Sequence, residues 1–150
     1  MSVRRPRLPL SGGCSCGAIR YEVMSFPLLL YTCNCTECQT ASGSAFALNM
    51  PVLTKDFRIR QGKPREWRRP SPSGADVTSW FCGACGGRIY GERAGRPESV
   101  NLRAGTLDDT SWLTPAAHYV HEERTALGRS LDSFWGIAGR RRRMPRNRTG

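Results

Sequence analysis

The chain has 150 residues, of which 39% are hydrophobic, and a formal net charge of +11. This length and composition favour one folded domain with its own core and exclude an intrinsically disordered chain. The apolar runs are much shorter than the roughly 20 residues that cross a bilayer, so we expect no membrane partner. The first residues lack the apolar stretch of a signal peptide, which predicts a soluble, cytoplasmic protein.

The positive charge is concentrated at the two ends of the chain. Nine of the 23 Lys and Arg residues lie within residues 4–7 and 140–148, and the remainder nearly balance the 12 acidic residues. This distribution favours solvated, flexible tails over a basic folded face. The alternative is that the segment GRRRRMPRNR binds nucleic acid or another anionic surface.

The predicted elements are mainly β-strands with short helical pieces. The first dozen residues are predicted to form an arm. Strands are then predicted over 18–24, 28–33, 45–53 and 57–62, with one or two helical turns over 36–42 that end at Gly43. A hairpin or exposed loop is predicted over 62–76, strands over 77–82, 87–92 and 99–105, a turn over 106–115 and a last strand over 117–123.

Seven cysteines are the most distinctive feature of the composition, and two of their three clusters are flanked by glycines. They form C-x-C (Cys14, Cys16), C-x-C-x-x-C (Cys33, Cys35, Cys38) and C-x-x-C (Cys82, Cys85). The first and last clusters lie in Gly-rich turns, where Gly83, Gly86 and Gly87 can adopt positive φ. Four thiolates from two such turns predict a closed, structural zinc site. The alternative is that these cysteines are apolar core residues.

The remaining trio, Cys33, Cys35 and Cys38, has the ligand number of a catalytic or labile zinc. Three protein ligands leave the fourth position to water or substrate, and thiolate ligands suit the exchange of a soft ligand such as a thiol. Two alternatives are that His118 or His121 completes a structural site, and that the trio is a redox pair with a spare thiol. Two zinc ions per chain are therefore expected.

Several other polar residues are predicted to be structural. His118 and His121 are three residues apart in a predicted strand, so they would point to opposite faces and would not share a metal. Asp108 and Asp109 are predicted to cap a turn, and Trp80 to pack in the core. Four arginines are candidates to pair with the carboxylates of a small ligand, although solvent exposure is the simpler reading: Arg58, Arg60, Arg88 and Arg103.

The order of these motifs resembles one known family. C-x-C, then C-x-C-x-x-C followed by SG, then FCGACG, RAGTLDD and TPAAHYVHEERT is similar to the glutathione-dependent formaldehyde-activating enzymes, also described as centromere-protein-V-like. The resemblance covers about residues 11–125. Residues 1–10 are then a flexible arm, and 126–150 are an extension with a basic, flexible tail.

The resemblance implies a small zinc-bound fold of several coiled β-sheets, a β-tent. It implies that Cys14, Cys16, Cys82 and Cys85 hold a structural zinc, and that Cys33, Cys35 and Cys38 hold a labile, catalytic one. The implied activity is that of a carbon–sulfur lyase, in which glutathione and formaldehyde form S-hydroxymethylglutathione. Asn34 stands where family members often have histidine.

Two functions from different classes follow. The first is a zinc-dependent carbon–sulfur lyase-like enzyme that acts on a small thiol and an aldehyde. The second is a non-catalytic, zinc-stabilised β module that binds nucleic acid or another anionic partner through its basic tails. Zinc content and salt-dependent polyanion binding distinguish them.

Overall fold

A computed structural model describes residues 5–71 and 74–119 of the chain. Within these residues the fold is mainly β, as predicted, with one α-helix and two short 3-10 turns at Thr54–Asp56 and Ala104–Thr106. The elements in chain order are β1 (Leu10–Gly13), β2 (Arg20–Val23), β3 (Tyr31–Cys33), α1 (Thr36–Ser42), β4 (Ala47–Leu53), β5 (Phe57–Gln61), β6 (Arg65–Pro70), β7 (Asp76–Phe81), β8 (Arg88–Arg93), β9 (Ser99–Arg103) and β10 (Ala117–Tyr119).

The strands form two antiparallel sheets. The smaller has the order β1-β2-β5, and the larger has the order β10-β3-β4-β9-β8-β7-β6. Consecutive strands β6, β7, β8 and β9 are neighbours, so this part of the larger sheet is a meander. Short connections of this kind require only turn residues between strands.

The core lies between one face of the larger sheet and the smaller sheet. Strand β9 alternates between buried and partly exposed residues, and Val100 and Leu102 are its buried ones. Rings from both sheets meet there: Phe57 lies edge-on to Tyr90 with centroids 4.8 Å apart, and Trp80 stacks on Tyr90 at 5.7 Å. The prediction that Trp80 packs against the core is therefore confirmed.

The chain divides into two compact units, which we describe separately. Among the described residues, the first unit contains 5–32, 48–71 and 74–118, and the second contains 33–47 and Tyr119. The first unit holds the two-sheet core. The second holds helix α1, which is only seven residues long. No helix in the described part of the chain is long and apolar enough to cross a membrane.

Helix α1 begins and ends where the sequence predicts. Cys35 is its N-cap and its Sγ accepts from the Cys38 N–H, so a cysteine takes the position usually held by Ser or Asp. Gly43 ends the helix with φ of 62°, and its N–H bonds back to helix carbonyls. This left-handed conformation costs glycine little because it has no Cβ.

Two segments differ from the prediction. The end of the predicted arm, residues 10–12, belongs to β1, because the N–H and C=O groups of this strand pair with β2 in register with Gly13 opposite Arg20. Within 62–76, Arg65–Pro70 form a regular strand although four of its six residues are charged. This strand is at the edge of the sheet, so its Pro70 and exposed side chains are tolerated. The predicted C-terminal tail and most of the predicted last strand lie outside the described residues.

Candidate metal centres

Four cysteines from two distant turns converge in the first unit. Cys14 and Cys16 follow β1, and Cys82 and Cys85 lie in the turn between β7 and β8. All four Sγ atoms lie within 4.8 Å of one another. The Cys14–Cys16 Sγ distance is 3.5 Å, and the Cys16–Cys82 Sγ distance is 3.7 Å. The sequence-predicted closed set is thus brought together in space.

The two turns share two local features. In each, the N–H of a glycine bonds to the carbonyl of the first cysteine: Gly17 to Cys14 at 3.0 Å, and Gly86 to Cys82 at 2.9 Å. Gly17 and Gly86 both have φ of 75°. Of the three glycines proposed near Cys85, only Gly86 has positive φ. Such a turn directs two cysteine side chains to one side, because the chain reverses between them.

Backbone amides favour negative charge on these sulfurs. The N–H of Ile19 donates to Cys14 Sγ at 3.2 Å, and the pKa of Cys14 is lowered although burial opposes this. The Gly87 and Cys16 N–H groups lower the pKa of Cys85 to about 6. For Cys16 the Ala18 N–H also acts to lower the pKa, but the neighbouring sulfurs of Cys14, Cys85 and Cys82 raise it to about 11. Protein groups alone therefore ionise only part of the set, since adjacent thiolates repel one another.

The geometry of the four sulfurs fits a tetrahedral cation. With Zn–S bonds of about 2.3 Å, the edges of a tetrahedral site are about 3.8 Å. The two measured Sγ–Sγ distances, 3.5 and 3.7 Å, are close to this value. A disulfide would need about 2.05 Å, and all seven cysteines are free thiols. The donor set is therefore suited to zinc or another thiophilic metal.

The second group contains Cys33, Cys35 and Cys38 of the second unit. Their Sγ atoms also lie within 4.8 Å of one another, with Cys33 and Cys35 3.6 Å apart. All three side chains are half-buried, unlike the alternating buried and exposed set of four. Among residues 5–71 and 74–116, no Asp or Glu joins this group, and both histidines of the chain, His118 and His121, lie outside that range. The group therefore offers three thiol ligands and no carboxylate.

Two members of the trio, Cys33 and Cys35, have little intrinsic tendency to ionise. The neighbouring Cys38 sulfur and burial raise the pKa of Cys33 far above its ordinary value. Burial raises the pKa of Cys35, although the Cys38 N–H opposes this. Thiols with raised pKa values become thiolates readily only when a cation compensates their charge. Their chemistry therefore fits a metal that binds with the release of protons.

Asn34 lies between Cys33 and Cys35 in the chain, and its hydrogen bonds hold this segment in place. The residue is 1% exposed, and its Nδ2 donates to the Ala45 carbonyl at 3.3 Å. Its own carbonyl accepts from Gln39 Nε2 of α1 at 2.7 Å. Its Oδ1 is buried without a hydrogen-bond partner among the described residues. Sequence reasoning identified Asn34 only as a departure from the family pattern; its burial and its contacts were not predictable from its neighbours.

The other candidate residues occupy mostly structural positions. Asp109 accepts from the Ser111 N–H at 3.0 Å and from its hydroxyl, so its predicted turn role is confirmed. The prediction that Asp108 caps a turn is wrong, because its carboxylate pairs with Arg20 and accepts from Ser11 Oγ at 2.7 Å. Arg20 and Ser11 hold the pKa of Asp108 below its ordinary value.

The four candidate arginines are dispersed. Arg60 lies 3.2 Å from Glu22, Arg88 donates to Ser79, and Arg103 donates to Asn49. Arg58 is exposed on β5. They do not form one cluster within the described residues. His118 lies in β10, and His121 lies outside the part of the chain that the structure describes, as do the basic residues from 140 onward.

A family model for the glutathione-dependent formaldehyde-activating enzyme matches residues 9–123. The chain belongs to this family. The matched range includes all seven cysteines, Asn34 and the RAGTLDD segment. Both groups of converging cysteines therefore lie within the part of the chain that matches the family.

Comparison with solved structures gives the same fold. A crystal structure of a Rhodobacter sphaeroides protein, a structural-genomics target, has a TM-score of 0.58 with this family member at 21% identity. The alignment covers 73% of this chain and 99% of the other. No curated protein matches the chain.

Proposed function

We propose that the protein is a zinc-dependent carbon–sulfur lyase-like enzyme that acts on a thiol adduct such as S-hydroxymethylglutathione. Family membership supports formaldehyde and glutathione as reactants. The observation that carries the proposal is the second sulfur group, in which three half-buried cysteines converge without a fourth protein ligand among residues 5–71 and 74–116. A site of this composition keeps a position for a reactant, whereas the set of four is closed.

The proposed roles of the cysteines follow from this difference. Cys14, Cys16, Cys82 and Cys85 would hold a structural zinc that joins the β1 end to the β7–β8 turn. Cys33, Cys35 and Cys38 would hold a second, exchangeable zinc. Bound there, zinc supplies a positive charge that favours the thiolate form of an incoming thiol and polarises an aldehyde oxygen.

The reaction is an addition with no change of oxidation level. The sulfur of the thiol forms a bond to the aldehyde carbon, the carbonyl π bond breaks, and the proton of the thiol ends on the oxygen. The reverse reaction releases the aldehyde. The task of the chain is to bring the two reactants together, since orientation alone can accelerate such a step strongly.

The local structure is suited to a rigid site. Cys35 is fixed as the N-cap of α1, and Cys38 lies in the first turn of the helix. Asn34 and Gln39 connect the C-x-C segment to the helix and to Ala45. We infer that these contacts keep the three sulfurs at their spacing when the metal leaves, so that the site can be reloaded.

Three further proposals complete this assignment. The folded zinc-binding domain begins at β1 and extends to about residue 125, with the residues before Leu10 as an arm and 126–150 as an extension. The protein acts in the cytoplasm, where reduced thiols persist and where glutathione is available. A small-molecule thiol and an aldehyde are its partners.

The test is a zinc count followed by competition with thiol. Freshly purified, reduced protein is expected to contain two zinc ions per chain. Excess glutathione or a mild chelator should remove one of them, and Cys38→Ser should lack the same one. Formation of S-hydroxymethylglutathione should then be measured above the uncatalysed rate for the wild type and for Cys38→Ser. One zinc in the wild type, unchanged by Cys38→Ser, would refute the site; two zincs without rate enhancement would refute only the reaction.

A further inference from the structure

Strand β6 lies at one end of the larger sheet, and within the described residues no strand pairs with its outer edge. It is six residues long, and all of them except Arg69 are exposed. An edge strand presents unpaired N–H and C=O groups to which another strand can bind. By contrast, the outer edge of β1 is covered, because the Asp108 N–H donates to the Ser11 carbonyl at 3.0 Å. The edge of β6 is thus open to a further strand.

The hairpin between β6 and β7 shows which backbone groups of β6 point to the open edge. The Ser71 N–H donates to the Ala75 carbonyl at 3.0 Å, which makes these two residues a hydrogen-bonded pair. Alternate pairs of an antiparallel ladder exchange hydrogen bonds. Trp67 therefore bonds to β7, whereas Glu66 and Arg68 direct their N–H and C=O groups away from it. The open edge offers two N–H donors and two carbonyl acceptors at its centre.

Pro70 and Asp76 agree with this assignment. They are paired at a position that exchanges no hydrogen bond, so a residue without an N–H group is tolerated there. The Asp76 carbonyl instead accepts from the Ala94 N–H at 2.9 Å, on the side of β8. The proline also limits the open edge, because an added strand finds no N–H donor at this position. Pairing is therefore restricted to the centre of β6.

The charges at this centre are complementary to a reversed copy of themselves. Glu66 and Arg68 stand on either side of Trp67, and alternation places both on the face opposite the indole. When an antiparallel copy of β6 sets Trp67 opposite Trp67, Glu66 of each copy lies opposite Arg68 of the other. Opposite charges at directly paired positions stabilise a sheet. These same residues carry the outward N–H and C=O groups, so this register also allows four backbone hydrogen bonds.

The two charged side chains are already accustomed to pairing with each other. Arg68 Nη2 lies 3.1 Å from Glu66 Oε1 within one chain, and both side chains are largely exposed. Exposed ion pairs contribute little to stability by themselves. A second copy would therefore exchange one partner for another without leaving a charge unpaired.

Trp67 would meet its counterpart at the middle of this contact. Its side chain is 51% exposed in the single chain. The position exchanges no hydrogen bonds with the copy, and at such positions the Cα atoms are only about 4.5 Å apart. Aromatic pairs across neighbouring strands stabilise a sheet. The two indoles would supply the apolar contact that this charged strand otherwise lacks.

The same register sets Arg65 of one copy opposite Arg69 of the other, which is a pair of like charges. The Arg65 side chain is directed elsewhere, because a Cβ placed on Gly83 would lie 2.5 Å from its Cδ atom. Arg65 thus packs over the turn between β7 and β8, on the side away from the open edge. The contact is confined to the middle of β6, and so short an interface is typical of a weak, concentration-dependent dimer.

We propose that two copies of the chain associate through β6, as an antiparallel pair centred on Trp67 that continues the larger sheet from one copy into the other. The charge order Glu66, Trp67, Arg68 carries the proposal. It is self-complementary only in this orientation, since a parallel copy in register would set like charges opposite one another. The contact uses the same edge of both copies and closes as a dimer. The proposal is independent of the zinc chemistry.

The experiment measures the average mass of the full, reduced chain by sedimentation equilibrium at rising protein concentration. The mass should rise from 16.7 kDa towards twice that value. Glu66→Arg and Arg68→Glu each set like charges opposite one another, so each variant should remain at the mass of one chain. An equimolar mixture of the two variants should form dimers again, because each supplies the charge that the other lacks.

Matched variants separate the parts of the contact. Arg58→Glu makes the same charge change on an exposed residue of β5, and it should leave dimerisation unchanged. Trp67→Ala should weaken the dimer by a factor of about 2 to 12, as expected for one lost aromatic pair, and Trp67→Phe should retain most of the affinity. Arg68→Pro removes an outward N–H group but no hydrogen bond to β7, so it should weaken the dimer more than Arg68→Gln does. Circular dichroism verifies that each variant is folded.

Four results would overturn the proposal. A wild type that keeps the mass of one chain at every concentration would exclude the dimer. Monomeric wild type with Trp67-dependent binding of poly-L-glutamate would assign the edge to an acidic strand of another protein. A dimer that persists in Arg68→Glu and in Trp67→Ala would place the association on a different surface. A mixture of Glu66→Arg and Arg68→Glu that stays monomeric would exclude the antiparallel register.

Discussion

Replacement of Cys82 by serine tests the closed sulfur set most directly. Cys82 is 1% exposed, and its Sγ lies 3.7 Å from that of Cys16, 66 residues away in the chain. Serine is a poor ligand for zinc, so the variant should lose the metal at this site. Structural zinc contributes about 10–16 kcal/mol in small zinc-binding domains, whereas a whole domain is stable by only about 5–15 kcal/mol. Loss of this site should therefore leave Cys82→Ser largely unfolded.

The buried serine hydroxyl by itself lowers the free energy of unfolding less than the loss of zinc does. Burial of an unsatisfied hydroxyl costs about 1–3 kcal/mol, so it cannot account for complete unfolding. Two measurements separate the contributions: zinc content by mass spectrometry, and thermal unfolding in reducing buffer with and without a strong chelator. The wild type in chelator should approach Cys82→Ser, and Cys85→Ser, at an exposed position, should lose the same ion. The reasoning is refuted if Cys82→Ser keeps two zincs, or if it unfolds at the wild-type temperature.

Three further predictions concern single residues. Asn34→Ala should weaken zinc at the trio by about 10–100-fold, as loss of a supporting contact does, and leave the other zinc in place; equal affinity in a competition titration would contradict this. Gly12→Ala should destabilise the fold by about 1–3 kcal/mol in denaturant unfolding, because its Cβ would overlap Tyr21 Oη and the Thr106 carbonyl, whereas Gly105→Ala has open space and should not. Asp108→Asn should cost about 0.2–1 kcal/mol at neutral pH because the Arg20 pair is largely exposed. The pKa of Asp108 is lowered on folding, so the difference in unfolding free energy between the wild type and Asp108→Asn should be constant at neutral pH. It should vanish as the pH falls through the folded pKa, and a difference that persists in acid would exclude the ion pair.

Local patterns in the sequence were sufficient for most elements and for the cysteine groups. The alternation in β2 and β9, the Gly-ended helix α1 and the glycine-flanked C-x-C and C-x-x-C turns depend on residues only a few positions apart. Features of this kind can be predicted from the spacing of apolar, polar and glycine residues over a short window. Division of the seven cysteines into four and three followed from the same spacing, and the sulfur distances agree with it.

Contacts between residues far apart in the chain depend on strand pairing, which residue spacing does not predict. Asp108 meets Arg20 across 88 residues, so its role depends on where the segment after β9 passes the end of β1–β2. The segment around Trp67 lacks an apolar face, and it forms a strand because β7 supplies hydrogen-bond partners along its length. The register then places Arg88 and Arg93 in line with Arg65 and Arg69, with β7 between the two pairs. The sequence by itself thus determined which residues could bind metal, because thiol chemistry and turn geometry are local. Only the tertiary structure decided which distant charges share a surface, because a register shift of one residue would move each side chain to the opposite face.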